Sequence, residues 1–188
     1  SAGLFVNRLV PHTYRYDDPA AEMSAYLTER DYPADVTLGL MTAAKLTHAS
    51  IAEEAGDRFR VVVCTTAGTR NAAKAGMPRT VFSACRPGTI NTLIFLDCKM
   101  TDAALLGVVI TATEAKCSAL ADLDIRDEEA QERLATGTTT DAVVAAVTQR
   151  AAHRLVHEYA GSASEIGNAV GRLVYATVHE ASATQHES

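Results

Sequence analysis

Four short runs of this chain gather small polar residues, three of them around one or two charges. They are Thr65 to Ala72 (TTAGTRNA), Gly88 to Asn91 (GTIN), Thr111 to Lys116 (TATEAK) and Ala135 to Ala142 (ATGTTTDA). Loops rich in Gly and Thr present backbone N–H groups and hydroxyls that can hold an anion or a developing oxyanion. The first run directly follows an apolar segment, the position where α/β proteins place ligands, beyond the C-terminal end of a strand. Ordinary turns favour the same residues, so the charges carry the argument. At 3.6 residues per turn, Leu105, Val109, Ala112, Leu120 and Leu123 form one apolar stripe, and Lys116 falls inside it. Glu114 points to the opposite side, near Ile110 and Ala121. A lysine on such a stripe costs several kcal/mol unless it is paired or reaches water. It therefore pairs with a buried acid, for which Asp141 is the candidate, or serves in proton transfer, or extends along the helix into solvent.

Other constellations carry less. His153 and His157 lie four apart on an expected helix beside Glu158, a spacing that suits a metal. The H-E-x-x-H order is absent and no third ligand stands out, so a solvated helix face is expected. The chain has no GxGxxG fingerprint, no GxSxG elbow and no Walker A loop, since ATGTTTDA lacks the Gly-Lys-Ser/Thr ending.

The elements that must position these runs are mixed. Residues 1–35 read as an extended arm with a short helix near Pro19 to Thr28. A short apolar run at Val36 to Met41 leads into a helical pattern from about Thr42 to Ala55, closed by Gly56. Phe59 to Cys64 and Ile90 to Asp97 are the clearest strands, with a short edge strand expected at Val81 to Ala84. Thr101 caps a long helix to Leu123. Val143 to Val147 reads as a buried strand, with a helix starting after Asp141 as the alternative. Ser162-x-x-Glu165 is a capping box that opens a C-terminal helix. Gly167 and Gly171, one turn apart on that helix, mark close packing, either within the chain or between copies in a homo-oligomer. The expected fold class is α/β, with α+β left open: one domain over residues 1–188, with a mixed sheet of about four to six strands covered by helices.

Composition narrows the partners. A chain of 188 residues is one domain by size and buries roughly 70% of its extended surface, so neither disulfides nor a structural metal are needed. Lys plus Arg is 17 against 23 Asp plus Glu, a net charge of −6, which argues against nucleic acid and anionic membranes. Six Tyr, four Phe and no Trp make an aromatic stacking platform for single strands improbable. No stretch reads as the roughly 20 apolar residues that span a bilayer, and no signal peptide opens the sequence. Cys64, Cys85, Cys98 and Cys117 are widely spaced, which suits reduced thiols in a cytoplasmic protein.

The same four runs, in this order, resemble the CbiZ family of adenosylcobinamide amidohydrolases. GLMTAA at Gly39 to Ala44, Asn7, the Tyr14 to Asp18 region and YAG…EIGNAVG at Tyr159 to Gly171 agree with it. The resemblance covers nearly the whole chain. It implies hydrolysis of the amide joining the aminopropanol arm to a corrin propionate, giving adenosylcobyric acid and 1-amino-2-propanol in corrinoid salvage. It also implies further residues ahead of Asn7, which leaves room for a lost N-terminal strand. The segment Thr148 to Glu158 matches no motif. The substrate would be a small-molecule corrinoid, with cobalt entering inside it and no metal or cofactor held by the protein.

The resemblance brings no residue roles, so these follow from chemistry. Amide hydrolysis needs a nucleophile or an activated water, an oxyanion stabiliser and an acid for the leaving amine. Water attack directed by a carboxylate fits Glu114 or Asp141. Attack by a hydroxyl activated by Lys116 fits Thr66, Thr113 or Thr138. Asn71, Asn91 and the Gly137 to Thr139 backbone suit the oxyanion. The catalytic set is thus Glu114, Asp141, Lys116 and Thr138. Substrate contacts are assigned to Thr66, Arg70, Asn71, Thr89, Asn91, Thr113, Gly137 and Thr139. The alternatives are a corrinoid-binding protein that does not cut, and a phosphate-handling transferase using ATGTTTDA as an anion cradle.

Overall fold

Unbroken β-branched runs build the centre of the molecule, and two long helices packed on one another cover one side of it. The computed structural model describes residues 2–15, 18–79 and 88–187. In chain order they form β1 (Leu4–Leu9), α1 (Pro19–Glu29), β2 (Thr37–Thr42), β3 (Ser50–Gly56), β4 (Phe59–Ala67) and β5 (Ala72–Ala73). There follow β6 (Ile90–Asp97), α2 (Asp102–Asp122), β7 (Arg126–Asp127), β8 (Ala130–Leu134), β9 (Gly137–Thr138), β10 (Ala142–Val147) and α3 (Glu165–Thr184). The expected edge strand at Val81 to Ala84, and Cys85, lie outside the described residues.

The central sheet has the order β10-β6-β4-β3, parallel between β10 and β6 and antiparallel elsewhere. Alternation along β4 and β6 sends Val61, Val63, Ile94 and Leu96 to one face, each 1% exposed or less, against Val108, Val170 and Val174 of the helices. Thr65 lies on that face too and meets Thr177 of α3 at 2.9 Å. The other face carries Thr66, Asn91 and Phe95. It is covered by the parallel pair β1–β2, with Phe5 edge-on to Phe95 at 4.9 Å between ring centroids. The result is an α/β domain in which helices, the main sheet and a two-stranded ribbon are stacked. Both parallel pairs are closed by crossovers, through α1 for β1–β2 and through α2 for β6–β10.

Four expectations are corrected. The helical pattern at Thr42 to Ala55 is instead the end of β2 and the strand β3, joined to β4 by a two-residue turn at Asp57 and Arg58. Its small and apolar residues alternate in burial as they pair along β4, so tertiary pairing outweighs local helix preference. The segment with His153 and His157 is not helical. Its backbone bridges Met100, and His157 is buried at 9% exposure with its N–H on the Lys99 carbonyl. The C-terminal helix is capped by Ser164, whose Oγ accepts from Gly167 N at 3.1 Å, rather than by Ser162. Finally, α2 is long and apolar enough by length and composition to cross a membrane, although it serves here as a core helix.

The glycine pair of α3 packs within the chain. A Cβ at Gly167 would collide with the carbonyls of Gly161 and Ala160, and one at Gly171 would touch Thr111 at 3.5 Å. Cys64, Cys98 and Cys117 are free thiols. Burial, with Asp97 beside it, pushes the Cys98 thiol up to about 11.

Candidate functional site

The site forms where the C-terminal end of β4 meets the N-terminal ends of β6 and β10, since Asn91 pairs with both Thr66 and Ala142. Just before β10, Asp141 turns back and gathers donors from three parts of the chain. Its Oδ1 accepts from Thr138 Oγ1 at 2.5 Å and from Ile90 N at 3.1 Å. Its Oδ2 accepts from Thr138 N at 3.1 Å and from Lys116 Nζ in a close ion pair. Lys116 is thus buried within the face of α2 that packs inward, paired with the acid rather than extended into solvent. The buried face itself is centred on Ala104, Val108, Ala112 and Ala119, while Leu105 and Val109 are only half-buried. Packing against α3 rotates the helix away from the stripe read from periodicity.

Gly137 is required by this geometry. A Cβ there would collide with Asp141 Oδ2 and stand 2.7 Å from Lys116 Nζ. The short antiparallel pairing of Ala72 with Thr138 and Ala73 with Gly137 fixes the turn from the other side.

Lys116, Asp141, Gly137, Thr138, Thr139 and Thr113 all line one open groove of about 820 Å³. Ala73, Lys74, Met77, Arg79 and Cys117 complete its walls. Sequence reasoning missed these last residues, although Cys117 adjoins Lys116 and Lys74 lies within a Gly- and Ala-rich stretch. Asp127 supports this wall by accepting from Lys74 N at 2.9 Å and pairing with Arg79 at 3.7 Å. Burial works against the Asp127 charge, yet the N–H groups of Lys74 and Glu129, with Arg79 and Arg133, hold its carboxyl below the ordinary value.

The remaining predicted residues lie elsewhere. Thr66, Asn71, Thr89 and Asn91 are 6% exposed or less and are bonded within the chain. Asn91 Nδ2 donates to Asn7 Oδ1 at 2.9 Å and to the Met41 carbonyl at 2.8 Å, while Asn7 Nδ2 donates to Thr66 Oγ1 at 3.0 Å. Thr89 Oγ1 donates to the Thr140 carbonyl at 2.7 Å, and Asn71 Nδ2 donates to Thr139 Oγ1 at 2.7 Å. These side chains hold the loops behind the groove. Arg70 lines a separate cavity of about 160 Å³ with His12, Lys45 and His186. Glu114 is exposed and lines a trough between α2 and α3, on the other side of the helix from Lys116 and Asp141. Among the described residues no group of three or more His, Cys, Asp or Glu is placed to hold a metal ion.

Chemically, the groove offers a hydroxyl whose proton already points at a carboxylate, and a cation on that carboxylate's other oxygen. That arrangement suits attack on a carbonyl carbon with charge developing beside an ammonium.

A sequence model described as adenosylcobinamide amidohydrolase (CbiZ) matches residues 1–188. An adenosylcobinamide amidohydrolase of Methanosarcina mazei is 30% identical over 174 residues, which is 89% of this chain and 76% of that protein. An uncharacterised protein of Methanocaldococcus jannaschii is 30% identical over 164 residues, covering 78% of this chain. The aligned region spans only 62% of that relative's length. No solved structure matches the chain. Matched over residues 1–188 by the family model, the chain belongs to the CbiZ family of adenosylcobinamide amidohydrolases.

Proposed function

We propose that the chain hydrolyses the amide between the aminopropanol arm and a corrin propionate of adenosylcobinamide, releasing adenosylcobyric acid and 1-amino-2-propanol. The reaction would serve corrinoid salvage in the cytoplasm, with cobalt arriving as part of the substrate. The observation that carries this reading is Asp141, which binds the Thr138 hydroxyl on one oxygen and the Lys116 ammonium on the other at the groove wall.

In the proposed sequence Thr138 Oγ1 attacks the amide carbon and its proton passes to Asp141. The oxyanion that develops lies beside Lys116. Asp141 then returns the proton to the amide nitrogen, the C–N bond breaks, and 1-amino-2-propanol leaves with the substrate's acyl group esterified to Thr138. Water, deprotonated by the same carboxylate, cleaves that ester and restores the hydroxyl. A water directed by Asp141 in place of Thr138 would give the same products in one displacement.

The test is incubation with adenosylcobinamide, followed by mass spectrometry for both products. Wild-type protein is expected to form them in proportion to enzyme, and Asp141→Asn to form at least about a hundredfold less. Wild-type protein that binds the corrinoid tightly without cutting it would overturn the reading in favour of a carrier.

A further inference from the structure

We infer that the outer face of α2 next to the groove, centred on Leu106 and Ile110, is the platform on which the macrocycle of the substrate lies. This rests on the corrinoid reading above. Leu106 and Ile110 are 67% and 61% exposed, an unusual state for two large aliphatic residues side by side on one helix. They continue at helical spacing into Thr113 and Cys117, which line the groove. One uncharged stripe at i, i+4, i+7 and i+11 thus runs from open solvent to the walls beside Lys116 and Asp141.

Apolar composition on both sides of α2 is otherwise unexplained. Its inner face packs on α3 and the sheet through Ala104, Val108, Ala112 and Ala119, which accounts for one half only. Its exposed positions include Asp102, Thr113, Glu114 and Ser118, which suit water, but Leu106 and Ile110 do not, so that part of the outer face calls for an occupant.

Continuity with the groove identifies it. A corrin is apolar over its faces and polar at its amide-bearing rim. With the macrocycle face on Leu106 and Ile110, a rim amide would reach the groove. The axial distance from Leu106 to Lys116 is about 15 Å at 1.5 Å per residue, a span that calls for a large ligand. A second copy of the chain fits less well, because stable dimers bury about 800 Å² per partner over some twenty residues, far more than this stripe offers.

The experiment compares wild type with the double variant Leu106→Ser/Ile110→Ser, and with Leu106→Met/Ile110→Leu, which keeps the face apolar. Cobinamide affinity is followed by the change in corrin absorbance, and turnover by product release. The serine variant is expected to raise Kd and KM about tenfold or more while kcat stays within about twofold. The apolar variant should retain wild-type values, and neither melting temperature nor sedimentation should change, because both positions are exposed. Unchanged KM in the serine variant, with wild type active, would overturn the platform and leave the hydrolase reading standing. A shift in oligomeric state on serine substitution would also overturn it, by making the stripe a contact between copies. Wild-type protein that neither binds nor cleaves cobinamide would overturn both.

Discussion

Lys116 and Asp141 form an ion pair across 25 residues of chain, with side chains only 10% and 12% exposed. The pair ties the middle of α2 to the turn that opens β10, and so sets the wall of the groove. Two charges this far from water are tolerated because each completes the other, and because Thr138 and Ile90 satisfy the carboxylate's remaining lone pairs.

Asp141→Asn is therefore expected to cost both function and stability. Turnover should fall by about 10² to 10⁴, the range for a lost general base. Stability should fall by about 3–5 kcal/mol, since the Lys116 charge is left unpaired. Joint replacement by Lys116→Met and Asp141→Asn, which removes both charges but keeps an acceptor for Ile90 N and the Thr138 hydroxyl, should recover part of the stability in urea denaturation and none of the activity. Full turnover by a folded Asp141→Asn protein would remove Asp141 from the mechanism.

Gly137→Ala tests the geometry without touching a charge. The added methyl must displace either Asp141 Oδ2 or Lys116 Nζ. We expect kcat to drop at least tenfold while the circular dichroism spectrum stays native. A variant with wild-type kcat would mean that the pair can shift freely.

Thr138→Val and Glu114→Gln separate the remaining candidates. If the hydroxyl is the nucleophile, Thr138→Val should lose at least about a hundredfold in kcat while Thr138→Ser keeps most of it. Retained activity in Thr138→Val would assign attack to water. Glu114, on the far side of α2, should tolerate Gln with turnover within about twofold.

Asp127 makes stability depend on acid. Its folded carboxyl lies below the ordinary value, so the unfolded chain binds the proton more readily. The stabilisation is complete above the unfolded pKa of about 3.9 and is lost as pH falls through the folded one. Asp97, lowered by its hydrogen bonds from Thr148 and His153 against partial burial, acts in the same direction. Urea midpoints for Asp127→Asn should change less between pH 7 and pH 3 than those of wild type. An unaltered slope would show that Asp127 does not bear on acid stability.

Much of the site was legible because the relevant signals are local. A lysine on the apolar side of a helix demands a partner, and Asp141 in a Gly- and Thr-rich turn was the natural one. Ile90–Asp97 and the Thr101 cap were likewise written in β-branched runs and in capping chemistry. The strand β3 was not legible, because its alternation emerges only once β4 is alongside to bury every second residue. The segment around His157 gave the same difficulty, since its bridge to Met100 and its bonds to Lys99 and Thr101 are contacts with a distant part of the chain.

The sequence by itself determined a mixed fold of strands and helices, the central strands, the long capped helix and the four polar runs. Tertiary structure decided which of those runs share a space. It set Thr66, Asn71, Thr89 and Asn91 behind the groove as loop supports and turned Glu114 away from Lys116. The reason is physical: side-chain type and spacing fix what a residue can do locally. The rotation of α2 against α3, and the approach of β10 to β6, fix what it meets, and those depend on contacts between residues far apart in the chain.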